Sequence, residues 1–78
     1  MDKFLTAIYA KGEVIIVDIS VKSDSEKIGM IESFIKKNGV TEYKRNQLGD
    51  ILTILVYFNI KEQQKSREFL DNLYKFID

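Results

Sequence analysis

The sequence predicts a two-layer α+β domain of element order ββαββα, with a four-stranded antiparallel sheet and both helices on one face of it. Three observations carry that expectation. VIIVDISVK, from Val14, and ILTILVYFNI, at 51–60, are β-branched and apolar at most positions and short enough for strands. SDSE at 23–26 has the form of a capping box ahead of an apolar series at helical spacing. The strand–strand–helix pattern is then written a second time, with Gly12-Glu13-Val14 answered by Gly49-Asp50-Ile51.

The first strand alternates Phe4, Thr6 and Ile8 on one parity with Leu5, Ala7 and Tyr9 on the other, and ends at Lys11-Gly12. A two-residue turn on Lys11-Gly12 joins it to the second strand and pairs Tyr9 with Val14 and Leu5 with Asp18. The first helix starts with Ser23 and Glu26 as its box. It carries Ile28, Ile31 and Ile35 with Met30 and Phe34 alongside, and stops at Asn38-Gly39, where glycine suits a left-handed cap. Gly29 inside it suggests close approach to a neighbouring element. VTEYKRN at 40–46 is a charged third strand, QLGD a loop, and 51–60 the fourth strand. Asn59 and Glu62 cap the last helix, whose buried stripe is Phe69, Leu73, Phe76 and Ile77, flanked by Leu70 and Tyr74. KEQQKSRE at 61–68 offers no apolar residue over two turns and reads either as a solvated helix start overhanging the sheet or as a polar contact for a partner.

Right-handed crossovers place these strands in the order 1-2-4-3, which resembles the ferredoxin-like layout with its last strand moved to the front. The second and fourth strands, the two richest in apolar residues, are then central. The third is an edge protected by Glu42, Lys44 and Arg45. The chain is thus expected to be a single domain over 1–78, made of two ββα units at about 3–39 and 40–78. In the helices of these units, thirty-nine positions separate Met30, Ile31, Phe34 and Ile35 from Phe69, Leu70, Leu73 and Tyr74.

Composition narrows the function. The chain has no cysteine, hence no disulfide framework, thiolate nucleophile or cysteine-ligated zinc, and no histidine, the commonest general base and metal ligand. Its glycines fit no phosphate-binding spacing and its acidic residues no metal-loop spacing. No catalytic residue, metal or cofactor is therefore expected, and the chain is read as no enzyme. Twelve Lys and Arg balance twelve Asp and Glu, so net charge gives no support to binding of nucleic acid or an anionic membrane. The apolar run in MDKFLTAIYAKGE is too short for a signal segment, and a cytoplasmic protein is the expectation.

Parity then divides the central strands. Leu52, Ile54, Val56, Phe58 and Ile60, with Ile15, Val17, Ile19 and Val21, belong under the helices. The far face is left with Leu5, Ala7, Tyr9, Val14, Ile16, Ile51, Leu55 and Tyr57. Contiguous apolar area above about 400 Å² on a soluble monomer usually marks an interaction site. Leu5, Tyr9, Val14, Ile16, Ile51, Leu55 and Tyr57 are accordingly the expected partner or dimer interface. Asp18, Tyr43, Lys44 and Arg45 are candidates for polar contacts. Asp18 has no second acid, histidine or cysteine placed to act with it, so it and Ser20 read as polar groups at the margin of the patch.

The resulting expectation is a protein-binding module: a small regulator, adaptor or inhibitor of a macromolecular partner, acting through its apolar sheet face as a homodimer packed sheet to sheet. Nucleic-acid binding through Tyr43, Lys44 and Arg45 or the sheet tyrosines is a second reading. A small-molecule sensor with its ligand at a dimer interface is a third.

Overall fold

The computed structural model describes residues 4–40 and 42–77. Strands β1 (Phe4–Lys11), β2 (Val14–Lys22), β3 (Tyr43–Leu48) and β4 (Ile51–Asn59) form one antiparallel sheet in the order β1-β2-β4-β3. Helices α1 (Lys27–Lys37) and α2 (Gln63–Ile77) pack on one side of it. The architecture and strand order are those the sequence implies. Thr41, read as part of the third strand, and the outermost positions of the two ββα units lie outside the described residues.

Both hairpins turn on two residues, Gly12-Glu13 and Gly49-Asp50, with φ of 64° and 63° at the glycines. Positive φ at the first loop position alone is the type II′ arrangement, which matches the twist of the flanking strands. The first turn thus lies one residue later than expected, and Tyr9 pairs with Ile16 and Leu5 with Ser20. Two positions of shift leave every side chain on its expected face, because strand period is two. The second turn is shorter than the QLGD loop expected: Gln47 and Leu48 continue β3 and pair with Leu52 and Ile51.

The capping box at Ser23 and Glu26 does not form. The chain turns at residues 23–24, the Ser23 amide donates to the Asp50 carbonyl at 2.8 Å, and the hydroxyl of buried Ser25 accepts from the Lys27 amide at 3.1 Å. The helix starts late enough that its N-cap is Glu26, which makes no side-chain cap, and the bond to the first turn comes from Ser25 one residue earlier. At its other end Gly39, φ 70°, and Val40 donate to the carbonyls of Lys36 and Ile35, a Schellman closure that also lays Val40 on the core. The second box does form, across a single 3₁₀ turn at Ile60–Glu62 that leads into α2: the Asn59 side chain accepts from the Lys61 amide and the Glu62 carboxylate from the Asn59 amide.

Ile15, Val17, Ile19 and Val21 of β2 and Leu52, Ile54, Val56 and Phe58 of β4 meet Ile31, Phe34, Ile35, Phe69, Leu73 and Ile77 in one core. A line of rings, Phe58–Phe69–Phe34–Phe76, joins sheet to helices with centroids 5.2 to 5.5 Å apart, within the favourable range for aromatic pairs. Three expectations for the helices are corrected. Phe76 is 40% exposed, because it caps the end of that line instead of lying beneath α2. Gly29 is exposed, and a Cβ on it would meet nothing within 4 Å, so no close approach explains it. Nor does 61–68 simply overhang: Ser66 is fully buried, its hydroxyl donating to the Gln63 carbonyl at 2.7 Å.

Candidate functional site

Both helices cover the same side of the sheet, so the other side is open among the described residues. The registers lay its side chains out in cross-strand rows. Lys11, Val14 and Asn59 form the first, and Tyr9, Ile16 and Tyr57 the second. Ala7, Asp18, Leu55 and Lys44 form the third, and Leu5, Ser20, Thr53 and Asn46 the fourth. Lys22, Ile51 and Leu48 complete the face.

All seven expected interface residues lie here, and they are not equally available. Leu5 is 73% exposed, whereas Ile16 is only 7% exposed, since it stands directly between two tyrosines on neighbouring strands. Cross-strand aromatic and β-branched pairs of this kind stabilise a sheet by a few tenths to about 1 kcal/mol each. The row Tyr9–Ile16–Tyr57 is therefore an ordered apolar ridge that serves the fold before any partner arrives. Val14, Ile51 and Tyr9 are exposed and Leu55 and Tyr57 are half-buried around it. At the middle of the face Ser20 donates to Asp18 at 3.3 Å and shares a hydrogen bond of 3.3 Å with Thr53. Asp18 thus sits within the apolar surface, in a polar group of three, rather than at its margin.

The remaining polar candidates do not share a face. Tyr43 packs against the core on the helix side, and Arg45 on that same side pairs with Glu32 of α1 at 3.3 Å. Lys44 alone of the three points to the open side, opposite Leu55. Alternation along a paired strand separates neighbours that the sequence sets side by side. Leu48, 82% exposed beside Ile51 on the open face, is a member that the sequence reading missed by assigning it to a loop. The alternation Lys44, Asn46, Leu48 was the signal that could have found it.

One concavity lies where the end of α1, the start of β2, the end of β4 and the start of the last helix meet. It encloses about 340 Å³ and is lined in part by Glu13, Asn38, Glu42, Asn59, Glu62 and Lys65. Its volume is at the lower end for small-molecule sites, but such sites are mostly apolar, and here Glu62 is already engaged with the Asn59 amide and with Lys65 at 3.3 Å. No helix is long and apolar enough to cross a membrane among the described residues, and none of their acidic side chains cluster as a metal site.

Fold and face together define a class: a small permuted ferredoxin-like α+β sandwich with helices on one side of its sheet and an open, largely apolar second side. Comparison with known proteins adds no narrower family, since no family model, no curated protein and no solved structure matches the chain.

Proposed function

We propose that this chain is a non-catalytic protein-binding module, a small regulator, adaptor or inhibitor, that works as a homodimer and meets its partner through the open sheet face. The observation that supports this reading most is the row Tyr9–Ile16–Tyr57 with Leu55, Val14 and Ile51 around it, an ordered apolar surface on the side the helices leave bare. Burying such area releases roughly 25 cal/mol per Å². The partner's chemistry follows from the polar group in the middle: an apolar surface bearing a Lys or Arg, or hydroxyl donors, to satisfy Asp18 and Thr53 on desolvation. Two copies stacked face to face bring two Asp18 carboxylates into one enclosed layer, which favours a different partner for this surface.

The test is capture from native lysate with and without nuclease, comparing wild type with face variants of unchanged far-UV circular dichroism. Residue 55 stands between Asp18 and Lys44, so Leu55→Asp and Leu55→Lys each meet one like and one opposite charge; Leu55→Lys, which puts the opposite charge on the closer, non-hydrogen-bonded neighbour Asp18, is the better variant. Ile51→Asp, at the far end of the face, is the companion. Loss of the same nuclease-resistant protein with both variants is expected. Retention of every partner by both sinks the reading.

A second reading has its own observation: Tyr9 and Tyr57 share one row on the face that also carries Lys11, Lys22 and Lys44. Rings and cations so placed suit stacking and phosphate contact with single-stranded nucleic acid. Nuclease-sensitive capture, with salt-dependent oligonucleotide binding lost in Tyr57→Ala, is the outcome that favours it.

A further inference from the structure

We propose that two copies of this chain pair antiparallel through the outer edge of β1, joining their sheets into one of eight strands. The direction of the ladder hydrogen bonds identifies the free groups. The Tyr57 amide donates to the Glu42 carbonyl at 3.1 Å, so the odd-numbered residues of β4 bond to β3 and the even-numbered ones to β2. Carried through the registers, this leaves Val14, Ile16, Asp18 and Ser20 of β2 bonded to Lys11, Tyr9, Ala7 and Leu5 of β1. Phe4, Thr6, Ile8 and Ala10 consequently direct their N–H and C=O outward. Among the described residues no backbone bond outside the ladder reaches them.

The two edges of the sheet are unlike. β3 carries Lys44 and Arg45, with Glu42 just before it, as a protected edge should. From Phe4 to Ala10, β1 has no charge, no proline and no bulge, since its register with β2 runs one to one. An uncharged, bulge-free edge of seven residues is a template for another strand.

A second copy is the occupant because the edge complements itself. With Ala7 facing Ala7 on a two-fold axis, Phe4 meets Ala10 and Thr6 meets Ile8 as hydrogen-bonded pairs, each twice. On the open side Leu5, the most exposed large apolar side chain of β1 at 73%, then lies against Tyr9 of the other copy. Lys11 stays outside the paired stretch. Four strands at about 4.8 Å span about 19 Å, and two helices at 8–10 Å spacing span about the same, so the helix layer is about as wide as the sheet it covers. One open face measures roughly 550 Å², from four strands of up to nine residues at about 3.3 Å each. That is below the about 800 Å² per partner of a standard protein interface, which two joined faces exceed. The inference draws on the homodimer in the proposed function and leaves the open face free for its partner.

Sedimentation equilibrium and amide hydrogen exchange on the full chain test it. Wild type is expected at twice the 9.1 kDa chain mass at micromolar concentration, with slow exchange at Phe4, Thr6, Ile8 and Ala10. Thr6→Pro and Ala10→Pro each remove an outward N–H, at positions whose side chains lie on the face away from the open one. Each should raise the dimer dissociation constant at least tenfold, with unchanged circular dichroism and fast exchange at the remaining edge amides. A wild-type monomer at 100 µM or above (about 8 kcal/mol of association free energy not found even a hundred times above a 1 µM constant) overturns the proposal. So does a dimer that survives both edge variants and is lost in Leu55→Lys, which assigns self-association to the open face. Loss of the captured partner with an intact edge dimer, or the reverse, separates the fate of this inference from that of the face.

Discussion

Gly29 and Gly39 lie at the two ends of α1, both exposed, and a Cβ added to either would meet nothing within 4 Å. The same methyl group at the two positions should nevertheless move stability in opposite directions, because only the backbone differs. Gly29 has no positive φ, so Gly29→Ala should remove unfolded-state freedom and add about 0.5 to 1 kcal/mol. Gly39 has φ 70°, where an L-residue pays about 1 to 2 kcal/mol in the left-handed region. For a domain of this size 1 kcal/mol is about 4–8 °C in Tm. Thermal unfolding followed by circular dichroism should therefore show Gly29→Ala higher by about 2–8 °C and Gly39→Ala lower by at least about 4 °C. Urea midpoints should move likewise at constant m-value. If both variants shift the same way, or Gly29→Ala lowers Tm, backbone conformation is not what decides these sites and the reasoning fails.

Three further outcomes are expected. Ser66→Leu forces a large side chain into a fully buried site and should cost about 1–3 kcal/mol, whereas Ser66→Ala should stay near wild type, both read from urea unfolding. Asn59→Ala removes the side-chain half of a two-way cap and should lower stability by about 0.5–2 kcal/mol, with faster amide exchange at Lys61 as the local marker. Ile54→Ala, in the core, should cost about 2–5 kcal/mol, and Leu55→Ala, its neighbour on the open side, under about 1 kcal/mol; equal losses would mean that the second face is already covered in the isolated chain.

The division of the sheet into faces was legible because it depends only on strand period, which survives an error of two in register, as the first hairpin shows. The order of the strands was legible from where charge and apolar residues fall. What the sequence hid was set by context. Ser23 and Ser25 are equivalent as caps until the turn at residues 23–24 delays the helix. Leu48 looked like loop because Gly49 stands next to it, yet the turn needs only two residues. Ser66 gave no apolar signal, and it is buried with its hydroxyl satisfied inside its own helix by the Gln63 carbonyl. In the candidate site, Tyr43, Lys44 and Arg45 read as a cluster along the chain and are divided by the pleat, while Ile16 is shielded by tyrosines from two other strands. Neither relation exists in the order of residues alone.

The distribution of the rings has a spectroscopic consequence. The buried aromatic residues, Phe34, Phe58 and Phe69, are all phenylalanine, and the chain has no tryptophan. All emission excited near 280 nm therefore comes from four tyrosines, none of them buried. Tyr9 and Tyr57 look out from the open side, and Tyr43 and Tyr74 lie among the helices. The molecule carries its own optical probe of the bare surface. A ligand settling there changes the light from one pair, and the other pair stays as a constant background to the sum.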